Sequence, residues 1–248
     1  MPISILPAIR EKHFPETGKP QDLSRPRTGK FNQTLCFTLD GRDLVLRMAP
    51  PPESGLLFYE KNMMAQEPRI HQLVRAKTSI PVPEILVYDD ACDVAPRPFM
   101  VMERLPGTPL TATVKVDTEQ VFAQVGGFLR ELHENIIGEK FGYTGAHHPM
   151  EPADSWPQAF GIMWHSLIDD IVACGGYKPE QEKLMRESFQ RDRKVFDRPV
   201  RPSLLHMDIW HQNILVDASG NVTGILDWDR ALWGDPEIEF AVLDYCGV

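Results

Sequence analysis

Residues 204–216 read LLHMDIWHQNILV, an apolar stretch interrupted by His206, Asp208, His211 and Asn213. Shortly afterwards the run ILDWD supplies Asp227 and Asp229. Carboxylates and an amide are hard oxygen donors. Such a set suits Mg²⁺, which takes one or two protein oxygens and leaves its other positions to water and phosphate. A further carboxylate beside it can accept or orient the proton of an attacking hydroxyl. His206 and His211 with Asp208 also suggest zinc, but no third soft ligand has the spacing that zinc needs.

These side chains need elements to gather them. Residues 214–216 and 222–226 read as two short strands around the turn 217–221. That ribbon sets Asn213 and Asp227 side by side at one end, with Asp208 hanging from the preceding loop. Upstream, apolar alternation on both sides of Asp40-Gly41 predicts strands over 33–39 and 43–48. Residues 1–25 read as a helix or an extended lead-in. The pattern predicts a helix over 55–77, with Pro68 in a first turn or at a kink, then strands in EILVYDD and PFMVMERLPG. After Pro106-Gly107 the period changes. Asp117-Thr118-Glu119 is suited to cap a helix running to about residue 135, and helices are expected over 158–174 and 179–196. Strands come first and helices second, with one hairpin embedded in the helical half. The expected fold is therefore α+β: an N-terminal antiparallel-sheet lobe over 1–104 and a mainly helical C-terminal lobe over 105–248, hinged near 103–107.

Charge narrows the partners. The net charge is −9, and it is uneven: residues 1–104 carry 14 Lys and Arg against 13 Asp and Glu, whereas residues 105–248 carry 12 against 22. An acidic second half argues against nucleic acid as a partner and tilts the expectation toward metal ions or a cationic substrate. Cys36, Cys92, Cys174 and Cys246 lie far apart with no CxxC pair, which fits a reducing compartment. The opening MPISILPAIREKHF is too short in its apolar part for a signal peptide, and no run approaches the roughly 18 apolar residues that span a bilayer. A cytoplasmic protein with no membrane partner is expected.

HMDIWHQN, ILDWD and GDPEIEFA, in that order, resemble the catalytic loop, metal-binding aspartate and following segment of the aminoglycoside phosphotransferase family. That group has the protein-kinase-like two-lobed fold. Protein kinases share the logic as H-R-D-x-x-x-x-N and D-F-G, but Met207 stands where they carry arginine and Trp228 follows Asp227, which favours the small-molecule branch. The resemblance implies ATP and Mg²⁺ as cofactors and a small-molecule hydroxyl as acceptor. It makes Asp208 the catalytic base, with Asn213 and Asp227 as metal ligands. In TGKFNQT, Gly29 and Asn32 resemble the turn that covers the phosphates; no Walker A motif occurs. Arg47 stands where kinases use a strand lysine to grip the α and β phosphates, and Glu67 would be its helix partner. Met102, Glu103 and Arg104 resemble the strand end and hinge on which adenine rests. The family usually continues for several helices beyond G-D-P, so a truncated or abbreviated C-terminal lobe is expected here. A nucleotide-binding pseudoenzyme is the alternative implied by Arg47 and the short C-terminus.

Overall fold

The structure, a computed structural model, describes residues 2–25, 32–51, 55–113 and 116–245. Helix α1 (Pro2–His13) is followed by β1 (Gln21–Ser24), where the sequence suggested only a lead-in. The expected hairpin is β2 (Gln33–Leu39) and β3 (Arg42–Met48), paired in unbroken antiparallel register from Gln33↔Met48 to Leu39↔Arg42. Asp40 and Gly41 both have positive φ, 48° and 79°, the backbone that a two-residue turn of this hand requires. With β4 (Ile85–Asp89) and β5 (Phe99–Glu103) these strands form a five-stranded sheet of order β1-β2-β3-β5-β4.

The period of two decides what each face does. Leu44, Leu46 and Met48 of β3 join Leu35, Phe37, Leu39, Phe99 and Val101, and α1 adds Leu6 and Ile9, to make one core. Val45 and Arg47 point the opposite way. There Met64, Met100 and Met102 pack together with Val45 against them. Arg47 is thus carried on the inner face by register alone.

Helix α2 (Glu67–Lys77) starts later than the periodicity suggested, after a 3₁₀ turn at Met63–Gln66. Pro68 sits in its first turn, where its missing N–H costs nothing. The apolar residues before it do not extend the helix because they dock elsewhere: Phe58 and Tyr59 pack against the cluster containing Tyr143 and Trp156. Ile70 and Val74 face the second half of the chain, sharing a core with Val121, Leu132, Ile214 and Ile225.

In the second half, α3 (Thr118–Asn135) is capped by Asp117, whose carboxylate accepts from the N–H groups of Glu119 and Gln120. Helices α4 (Trp156–Ala173) and α5 (Pro179–Asp192) meet around Phe160, Phe189 and Phe196. Three short strands were not expected from the sequence. β6 (Thr108–Pro109) pairs with the expected ribbon, β8 (Ile214–Val216) and β9 (Val222–Ile225). β7 (Ser203–Leu205) and β10 (Leu232–Gly234) pair with each other. Helix α6 (Glu239–Tyr245) follows. Two lobes result, a sheet and a mainly helical body, as expected. Among the described residues no helix is long and apolar enough to cross a membrane.

Candidate active site

Residues 206–213 hang between β7 and β8, and one buried imidazole fixes them. His206 is fully buried. Its Nδ1 accepts from the Asp208 N–H at 3.1 Å, so Nε2 carries the proton and donates to the Leu226 carbonyl at 2.9 Å. The ring therefore rivets the loop bearing Asp208 to the residue just before Asp227. Burial lowers its pKa, against the pull of Glu239, Asp208 and Asp227, in keeping with a neutral ring that both accepts and donates. The ribbon adds a second tie, since Leu226 N–H donates to the Asn213 carbonyl at 2.8 Å.

Glu239 holds the same loop from below. Fully buried on α6, its carboxylate accepts from the N–H groups of His206 and Met207, both at 2.7 Å. His133 Nε2 lies 3.4 Å away. Met207 has φ 65° and Asp227 φ 67°, left-handed conformations that cost roughly 1–3 kcal/mol each unless the surroundings fix them. Glu239→Ala is therefore expected to destabilise the protein by about 3 kcal/mol, because two charge-assisted hydrogen bonds vanish and two buried amides lose their acceptor. The midpoint of urea unfolding measures this.

The Asn213 side-chain amide donates to the Asp208 carboxylate at 2.7 Å and to its carbonyl at 2.9 Å, which leaves the amide oxygen as the atom for a cation. Asp227 is placed differently. Its carboxylate accepts from Arg47 Nη2 at 2.6 Å, while Arg47 Nη1 donates to Glu67 at 2.8 Å. Asp229 lies 3.4 Å from the same Nη2 and is buried. The structure thus makes two groups, Asp208 with Asn213 and Asp227 with Arg47, Glu67 and Asp229, joined through His206 and the ribbon backbone.

The second group carries an excess of negative charge. Glu67, Asp227 and Asp229 each offer an oxygen within 4.8 Å of the others, against one guanidinium. Burial works against the charge on Arg47, but Glu67, Asp227 and Asp229 outweigh it and raise its pKa. Asp227, with 38% of its side chain exposed, is held below the usual carboxylate range; burial opposes this, and the Arg47 guanidinium prevails. Asp229 is pushed well above that range by burial and then by Asp227 and Glu67. Glu67 Oε1 is buried with no hydrogen-bond partner. An orphaned buried carboxylate oxygen beside two more acids fits a hard divalent cation; of the two metal ligands expected, Asp227 belongs to this group and Asn213 to the other.

Of the residues expected on the nucleotide side, Asn32 reaches this group. Asn32 Nδ2 approaches Asp229 at 3.5 Å, at the end of the segment between β1 and β2; Gly29 lies outside the described residues. Met102 is buried in β5. The N–H groups of Glu103 and Arg104 donate to the carbonyls of Glu84 and Asp43, both at 2.9 Å.

Four residues around the site gave no sequence signal. Gln66 donates to the carbonyls of Asp229 and Ala231 at 2.6 and 3.1 Å. Arg230 donates to the buried Glu60 at 3.2 Å and stands 5.8 Å from the Tyr59 ring centre. All of these contacts span more than 160 positions, beyond the reach of any local pattern.

The model of the phosphotransferase enzyme family, APH, matches residues 22–243. Clavilactone A biosynthesis cluster protein Y of Ampulloclitocybe clavipes is 26% identical over 240 residues, covering 80% of this chain and 58% of that protein. Hygromycin-B 4-O-kinase of Escherichia coli is 21% identical over 232 residues, covering 89% and 61%. The chain thus spans about three-fifths of the length of these curated relatives. Among solved structures, a thermostable mutant of aminoglycoside phosphotransferase APH(4)-Ia in ternary complex with ADP and hygromycin B superposes with TM-score 0.70 at 20% identity, covering 98% of this chain and 76% of that one. The likeness to these structures is one of fold, the two-lobed kinase-like arrangement. With the family model spanning both the sheet and the catalytic-loop region, the chain belongs to the phosphotransferase enzyme family.

Proposed function

We propose that this protein is a MgATP-dependent phosphotransferase that moves the γ-phosphoryl group onto a hydroxyl of a small molecule. Residues 1–104 act as the nucleotide-binding lobe and 105–248 as the catalytic lobe. Asp208, held by the Asn213 amide, orients the acceptor hydroxyl and takes its proton. Asn213 and Asp227 hold Mg²⁺, which when bound neutralises charge on the phosphate oxygens. Arg47, fixed by Glu67, steadies the α and β phosphates, with Gly29 and Asn32 covering them and Met102, Glu103 and Arg104 lining the adenine side. Catalysis is then mainly positioning and electrostatics. The observation that carries this reading is the convergence on one ribbon end of Asp208 with Asn213 and Asp227 with the Arg47–Glu67 pair.

The acceptor is a small hydroxylated molecule, and the acidic second half favours a cationic one. Hygromycin-B 4-O-kinase and viomycin phosphotransferase, both relatives by name, support this class. Cys36, Cys92 and Cys174 are free thiols, in keeping with action in the cytoplasm. A screen of hydroxylated amines, sugars and antibiotics with γ-labelled ATP and Mg²⁺ tests the reading: label transfer to one class is expected, and ATP binding without transfer to any member would favour the pseudoenzyme. That second reading has one observation in its favour, the Arg47 guanidinium lying on Asp227 at 2.6 Å, where it competes with a metal for the same carboxylate.

A further inference from the structure

We propose that residues 105–107 form a strap that fixes the base side of the nucleotide site to its metal side, with Thr223 and Gly107 as positioning residues; this rests on the nucleotide reading above and adds two residues to it. The connection between sheet and ribbon has almost no slack. The Arg104 N–H still donates to the Asp43 carbonyl of β3. The very next side chain, Leu105, already lies on the ribbon, its Cδ1 2.9 Å from where a Cβ on Gly224 would stand. Along this connection a single peptide link separates the two.

From there the chain crosses the ribbon. The β8–β9 register runs Leu215↔Gly224 and then Val216↔Val222, so Thr223 is the extra residue of a bulge. A bulge leaves such a residue out of the ladder and re-aims its side chain. The Thr223 hydroxyl donates to the Pro106 carbonyl at 2.6 Å, across 117 positions. Gly107 follows with φ 118°. A Cβ there would stand 2.3 Å from Thr223 Oγ1, 3.1 Å from the Val216 carbonyl oxygen and 3.3 Å from Leu215 Cβ. Only glycine combines that backbone with so close an approach. Thr108 and Pro109 then pair with Val216 and Leu215 at the outer edge of β8. The strap thus meets β9 first and β8 second, and Pro106 stiffens it by locking its own φ and restricting Leu105.

What the strap joins gives its role. Upstream stand Met102, Glu103 and Arg104, the base side of the nucleotide site. On the ribbon, Asn213 immediately precedes β8 and Asp227 comes four residues after Thr223. A nucleotide that engages both sides spans them at once. Two subsites held at a fixed span reinforce each other, and the advantage falls when the span varies. The strap holds that span.

Calorimetry on the whole chain tests this with two probes: adenosine, which reaches the base side alone, and MgATP, which reaches both. The quantity read is the ratio of the two affinities, and wild type is expected to bind MgATP more tightly. Thr223→Val keeps the shape and removes the donor. It should lower the ratio about five-fold with adenosine affinity unchanged. Thr223→Ser keeps a hydroxyl and should restore the ratio. Gly107→Ala, strained and in collision, should lower it further, by about thirty-fold. A merely structural role would move both affinities together or neither. The proposal is overturned if Thr223→Val keeps the wild-type ratio, if Thr223→Ser loses as much as Thr223→Val, or if adenosine affinity falls in step with that of MgATP. Wild type that binds neither probe, or MgATP no better than adenosine, refutes instead the nucleotide reading, and the role of the strap falls with it.

Discussion

Asp227→Ala should lower kcat/KM for phosphoryl transfer by about a thousand-fold or more, because the carboxylate that would hold the cation is gone and several kcal/mol of charge stabilisation go with it. The fold should survive. Asp227 is the most open of the three acids, at 38% side-chain exposure, and Arg47 keeps its 2.8 Å contact with Glu67, so the guanidinium is not left unpaired. Loss of a partly exposed ion pair costs about 1 kcal/mol. Steady-state kinetics and urea unfolding on the same sample separate the two effects: turnover collapses while the unfolding midpoint moves little. A variant that instead unfolds far more easily, and loses activity in proportion, would make Asp227 structural.

The second large effect belongs to Asp208. Removing a general base typically costs 10²–10⁴ in rate, and Asp208→Ala should fall in that range with nucleotide affinity almost unchanged, since the side chain touches Asn213 rather than the Arg47 group. Asp208→Asn sharpens the result. Its carbonyl oxygen can still accept from the Asn213 amide, so the loop stays anchored, but it cannot take a proton. Both variants should be equally slow in single-turnover assays. Full turnover by Asp208→Asn would show that orientation, not proton acceptance, is what this position supplies.

The sequence carried the site's chemistry further than its surroundings. His206, Asp208 and Asn213 lie within eight positions, and the ribbon that follows is announced by a tight turn, so local spacing alone brought Asn213 and Asp227 to one end. The β2–β3 hairpin was legible for the same reason: its alternation and its Asp40-Gly41 turn are local. Strands β6, β7 and β10 were not. Each has two or three residues and exists because a distant segment pairs with it, as Leu204 does with Trp233. The start of α2 was misplaced because Phe58 and Tyr59 are apolar in the manner of a helix face, yet spend that apolarity against Tyr143. The burial of Asp229, and its place beside Arg47, needed three elements to meet. Composition likewise gave the acidity of the second half without revealing that Arg230 within it pairs with the buried Glu60.

The central claim is that these carboxylates and the Asn213 amide bind a triphosphate through a divalent cation. Calorimetric titration of ATP into the protein, with Mg²⁺ and with the metal chelated, tests it most directly. Binding is expected to strengthen by at least about ten-fold with Mg²⁺ in wild type, with a metal-dependent gain that disappears in Asp227→Ala. Equal affinity in wild type with and without the metal, or an undiminished gain in Asp227→Ala, would contradict it.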